Sequence, residues 1–105
     1  MNIPNRVKIG GFTYIVERPE SAFVGSGSTL LDGEHSFTDK YIKVSKGGCQ
    51  EYQNVVFLHE VCHAIIAHYT PIENQDEDFV EQFSKGLYQF LVDNQDIFTH
   101  RKGEE

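Results

Sequence analysis

The stretch VVFLHEVCHAIIAHY, Val55 to Tyr69, is the most hydrophobic segment of the chain, yet His59, Glu60 and His63 stand at its centre. From about Gln50 to Tyr69 there is no Gly or Pro, and Pro71 stops the run. That length suits a helix and not a strand. On a helix, His59 and His63 project from one face a turn apart, so their imidazoles can take adjacent corners of a tetrahedral zinc site. Glu60 lies about 100° around from His59, too far to share the ion comfortably but well placed to reach a water beside it. The pattern is HExxH, two ligands and one general base. Residue frequencies give it by chance about 0.02 times in a chain of this composition. Its neighbours Val56, Phe57, Leu58, Val61, Cys62, Ala64 and Ile65 are all uncharged. Burying two unpaired histidines and a carboxylate among them would cost on the order of several kcal/mol without a compensating ion. A cation supplies that compensation.

Upstream of this helix the chain reads as strands. RVKIGGFTYIVERP alternates around Gly10-Gly11, a hairpin signal, with Val7, Ile9, Phe12, Tyr14 and Val16 as core positions. GSGST (Gly25 to Thr29) reads as a flexible loop, and no helix pattern follows it closely, so it is a poor phosphate cradle. Asp32-Gly33 marks another turn. KYIKVS (Lys40 to Ser45) alternates as a strand, with Ile42 and Val44 facing opposite to Tyr41, Lys43 and Ser45. Gly47-Gly48 separates it from the helix.

Downstream, a second helix is expected from about Gln75 to Asn94, with Asn74 as N-cap. Phe79, Val80, Phe83, Leu87, Phe90 and Leu91 form its apolar stripe, and Gly86 beside them would let another helix pack closely. The tail THRKGEE reads as frayed. The expected architecture is α+β, a small and mostly antiparallel sheet followed by two packed helices. Residues 1–105 form one domain, with a strand-rich half (1–48), a two-helix half (49–95) and a tail (96–105).

A catalytic zinc site usually has three protein ligands. His35 lies in a turn-rich stretch, His100 in the tail, and His68 is rotated off the ligand face, with an adequate role as a helix-terminal cation. The acidic run Glu73 to Glu81 remains. Glu77 flanks the apolar stripe, whereas Asp78 and Glu81 turn towards solvent. Asp76 points nearer the stripe but is short and sits in the first turn. Glu77 is thus the favoured third ligand; its competing role is a capping box with Asn74.

These features resemble a minimal gluzincin-type HExxH zinc metallopeptidase, similar to small phage- and prophage-associated proteins of the ImmA/IrrE group. The resemblance runs from about Gly33 to Asn94, through KYIKV, VFLHEVCHAI and EDFVEQFSKGLYQFLVDN. In that group a glutamate on the helix after HExxH supplies the third ligand, and Glu77-x-x-Val80-x-x-Phe83 matches its setting. No helix-turn-helix precedes the peptidase segment, so regulation through an attached DNA-binding domain is not supported. The resemblance implies a zincin-like domain that hydrolyses peptide bonds, with Zn²⁺ on His59, His63 and Glu77 and with Glu60 as base. The KYIKVS strand, if at a sheet edge, would pair with an extended substrate. Tyr41, Tyr52, Tyr69 and Tyr88 are unranked candidates for oxyanion stabilisation, and Cys62 reads as a small core residue. Two rival readings are a non-catalytic metal-containing module that binds proteins and a metal-dependent hydrolase of a non-peptide amide.

Composition sets the outer bounds. The formal charge is -7, with nine Lys and Arg that never cluster, which argues against nucleic-acid partners. No apolar run approaches the roughly 20 residues that span a bilayer, and no secretory h-region is visible at the start. Cys49 and Cys62 are the two cysteines and are expected as reduced thiols in a cytoplasmic protein whose partner is a protein or peptide substrate.

Overall fold

Gly10 and Gly11 both take positive φ, 62° and 83°, the conformation that a two-residue hairpin requires and that side chains resist. They join β1 (Arg6–Ile9) to β2 (Phe12–Glu17), with Ile9 opposite Phe12. In the computed structural model, which describes residues 2–98, the chain continues through a two-stranded ribbon, β3 (Phe23–Val24) with β4 (Leu30–Leu31). It then enters β5 (Gly33–Ser36) and β6 (Tyr41–Val44), joined by a turn in which Lys40 has φ 56°. The expected tail Thr99 to Glu105, His100 included, lies outside the described residues.

The main sheet has the order β1-β2-β6-β5. Two of its seams are antiparallel, β1 with β2 and β5 with β6, while β2 and β6 run parallel. The expected α+β architecture holds. The condition set for KYIKVS, a place at a sheet edge, is not met, because β6 is an interior strand and β5 takes the edge. Its phase is as expected, with Ile42 and Val44 fully buried. Ser45 is buried as well, its backbone and hydroxyl both bonded to Asp32. Asp32 is a bend and Gly33 already belongs to β5, so His35 sits on a strand and not in a turn.

Helix α1 (Gln50–Tyr69) packs across one face of the sheet, and α2 (Glu77–Asp93) packs on α1. The core joins Ile9, Tyr14, Val16, Ile42 and Val44 from the sheet to Phe57 and Ala64 from α1. Phe12 has the right strand parity but remains half exposed, because it lies level with the C-terminal end of α1, where it stacks on His68. Helix α2 starts later than expected. Asp76, not Asn74, is its N-cap, accepting a hydrogen bond from the Phe79 amide, so Glu77 is the first helical residue and the capping box does not form. The apolar stripe divides in two. Val80 and Ser84 are buried against α1, with Leu87 and Leu91 partly so, but Phe79, Phe83 and Phe90 stay exposed. A Cβ at Gly86 would meet no other part of the described residues within 4 Å. No described helix is long and apolar enough to cross a membrane.

His68 does more than end a helix. The hydroxyl of fully buried Tyr14 lies 2.6 Å from His68 Nε2, tying the sheet to the last turn of α1. Tyr14→Phe keeps the ring and removes that bond, and is expected to cost about 1–2 kcal/mol. Thermal denaturation should then show a melting temperature lower by several degrees.

Candidate metal centre

The geometry of the centre follows from three local choices. The unbroken helix α1 sets His59 and His63 one above the other, their rings 4.7 Å apart. The linker after Pro71 turns the chain back, and the cap at Asp76 fixes the phase in which α2 begins. Glu77 therefore meets both imidazoles: Oε1 is 2.6 Å from His59 Nε2 and Oε2 is 3.0 Å from His63 Nε2. The two Nε2 atoms are 3.1 Å apart. One ligand atom from each of His59, His63 and Glu77 lies within 4.8 Å of the others, a set that could hold a metal ion.

The donor set fits zinc. Bonds of about 2.0–2.1 Å at tetrahedral angles put neighbouring ligand atoms roughly 3.3 Å apart, close to the spacings seen here. The tautomers also fit. Gln75 grips His63 twice, its Oε1 2.7 Å from Nδ1 and its Nε2 donating to the His63 carbonyl at 3.0 Å. Because the amide nitrogen is committed to that carbonyl, Oε1 must accept a proton from Nδ1, which leaves the Nε2 lone pair free for a cation. His59 Nδ1 is buried without a hydrogen-bond partner, and the Glu81 carboxylate stands 3.8 Å away. Glu81 thus faces the centre, contrary to the solvent-facing position expected for it. Asp76 is engaged as the helix cap, and Asp78 is exposed.

Glu60, next to His59 on α1, points to β5 of the sheet. It is 8% exposed, and burial, with Glu77, Glu34 and Glu81 adding repulsion, pushes its carboxyl up to about 8. The backbone of β5 comes so close that a Cβ at Gly33 would stand 2.8 Å from Glu60 Oε2 and 2.6 Å from Val56 Cγ1. Any larger residue there would force Glu60 and Val56 to shift. A nearby dication would oppose all three repulsions and favour the ionised form.

His59 and Glu60 also line a cavity of about 780 Å³ between the β4–β5 segment, α1 and α2. Leu30, Leu31, Tyr52, Val55 and Tyr88 give it apolar walls. Of the four tyrosines expected as oxyanion donors, Tyr41 and Tyr52 donate their hydroxyls to Glu34 and Asp32, and Tyr69 is exposed at the helix end. Tyr88 lines the cavity. His35, on the edge strand, stacks on Tyr14, and burial, with smaller electrostatic contributions from the neighbouring His63, His68 and Lys40, lowers it to about 4. Cys62 is buried and Cys49 exposed, and both are free thiols. Gln75 and Gly33 escaped the sequence reading. Neither has a motif, and each matters only through the contact that the fold gives it.

The raised Glu60 carboxyl carries a signed pH dependence in metal-free protein. The unfolded chain ionises this group near 4.5 and the folded chain near 8, so unfolding releases a proton between those values. Its stabilising contribution is complete below about pH 4.5 and is lost as pH rises to about 8. His35 acts oppositely, its contribution falling away as pH drops from 6.5 to about 4. The difference between wild type and Glu60→Gln isolates the first effect. With chelator present, wild type should lose melting temperature relative to the variant as pH rises through that window, and a flat difference would show that the carboxyl is not held protonated.

Comparison with known protein families, with curated proteins and with solved structures finds no match to this chain.

Proposed function

We propose that the protein is a zinc-dependent metallopeptidase of the gluzincin type, with His59, His63 and Glu77 as ligands and Glu60 as general base. The observation that carries this reading is the convergence of three ligand atoms, with His59 and the buried carboxyl of Glu60 on the wall of one cavity. A purely structural metal site has no use for that carboxylate. When bound, the ion supplies Lewis acidity to a water and to the scissile carbonyl. Glu60 takes the proton of the attacking water and returns it to the leaving amine. Gln75 holds His63 in the ligating tautomer. The outer edge of β5, adjacent to Glu60, offers the unpaired backbone groups that an extended peptide can bond, a role that interior β6 cannot fill. The apolar walls of the cavity then receive substrate side chains.

Glu60→Gln should retain zinc while losing peptide hydrolysis, because the amide keeps the shape but cannot accept the proton. Zinc retention without any loss of hydrolysis would remove Glu60 from the mechanism; loss of the metal would make it a ligand. Glu77→Ala should weaken zinc binding by about tenfold or more, since a ligand is removed from a three-residue set. Gln75→Leu, read by zinc competition with a chromogenic chelator, should weaken binding by about 10–100-fold. Gln75→Glu should preserve most of it, because a carboxylate accepts the same Nδ1 proton. Equal affinity in Gln75→Leu and wild type would mean that the grip on His63 does not orient the ligand.

A further inference from the structure

The face of α2 turned away from the metal centre is apolar and left exposed by the described residues. Phe79, Phe83, Gly86 and Phe90 fall within an arc of about 60° at helical spacing. All three rings are about half exposed, and Phe79 stacks on Phe83 at 5.7 Å. Exposed Ile72 precedes this stripe, and exposed Phe98 follows it, touching Phe90 edge-on at 6.3 Å. A Cβ at Gly86 would meet nothing within 4 Å. Glycine disfavours the middle of a helix, and no contact among the described residues uses its lack of a side chain.

We propose that this face is a two-fold interface, on which α2 packs antiparallel against α2 of a second copy with Gly86 at the crossing. The stripe is self-complementary, because turning it end for end about a point beside Gly86 lays Phe83 on Phe90, as a closed isologous contact requires. Charge agrees with this occupant. The residues flanking the centre of the stripe on its outer side are the neutral Gln82 and Gln89. Asp78 and Asp93 lie nearer the ends, at the rim of the contact, where the antiparallel register sets them level with Gln95 and Val80. An anionic lipid surface would instead meet those acids on a chain of net charge -7. The area is sufficient. Half-exposed aromatic rings offer roughly 100 Å² each. With Ile72 and Phe98 the two copies offer about 1,000 Å² in total, the minimum for a specific interface. Glu77 and Glu81 stand more than about 100° around the helix from Phe83, so pairing leaves the metal centre open.

Sedimentation equilibrium from low to high micromolar concentration tests the proposal. Wild type should be a dimer. Phe83→Glu should be a monomer with an unchanged helical circular dichroism spectrum. Gly86→Leu discriminates by sign. At a crossing point it should weaken association by tenfold or more, whereas on a free helix face it should leave the mass alone and raise the melting temperature. A wild type that stays monomeric overturns the proposal, and binding of that monomer to neutral phosphatidylcholine vesicles would reassign the face to lipid. A dimer that survives both substitutions overturns it too, since the contact must then lie elsewhere.

Discussion

Three lone-pair donors from two helices share one small volume, and the rest of the molecule can be read as the means of holding them there. His59 Nε2, His63 Nε2 and the Glu77 carboxylate stand 2.6–3.1 Å from one another. Two neutral imidazoles repel at that distance when both lone pairs point inward, and a carboxylate adds to the conflict unless a proton or a cation is shared. The surrounding order commits the chain to that arrangement. Gln75 fixes the proton of His63 on the far nitrogen, and Asp76 starts α2 in the phase that delivers Glu77. Through Tyr14, the sheet anchors the other end of α1.

The buried carboxyl of Glu60 is held under a second constraint, steric as well as electrostatic. The β5 backbone presses against it at Gly33, and three other carboxylates lie within electrostatic reach. Displacing the edge strand therefore also displaces the Glu60 carboxyl. The position of the edge strand and that of the Glu60 carboxyl are thus mechanically linked, and a β-carbon at residue 33 would force one of them to shift.

The helices and the hairpin were legible in the sequence because their signals are local. Gln50 to Tyr69 has no breaker before Pro71, and Gly10-Gly11 names its own turn. HExxH placed His59, Glu60 and His63 by spacing alone. Glu77 followed from its place beside an apolar stripe, although the capping residue was misassigned by two positions, because Asn74 and Asp76 are equally suited by type. What failed to show was tertiary. Strand order depends on which edges pair, so the interior position of β6 left no trace in KYIKVS. Phe79, Phe83 and Phe90 share the pattern of core residues, and periodicity cannot separate a face buried inside the protomer from one left outside it. Glu81 was assigned to solvent by wheel geometry, yet it sits 3.8 Å from His59, since a long side chain can reach across that angle.

The parallel seam between β2 and β6 has a consequence for the order in which the chain assembles. β1 with β2, and β5 with β6, are hairpins closed by short turns, so each can form from neighbours in sequence. The seam Ile15–Tyr41, Val16–Ile42, Glu17–Lys43 must instead close a loop that contains the whole β3–β4 ribbon. Loop closure is entropically dearer for such a contact, and contacts of this range set folding rates. The two hairpins and α1 are therefore local units, and the docking of one hairpin alongside the other is the slow event that creates a continuous sheet beneath the helix.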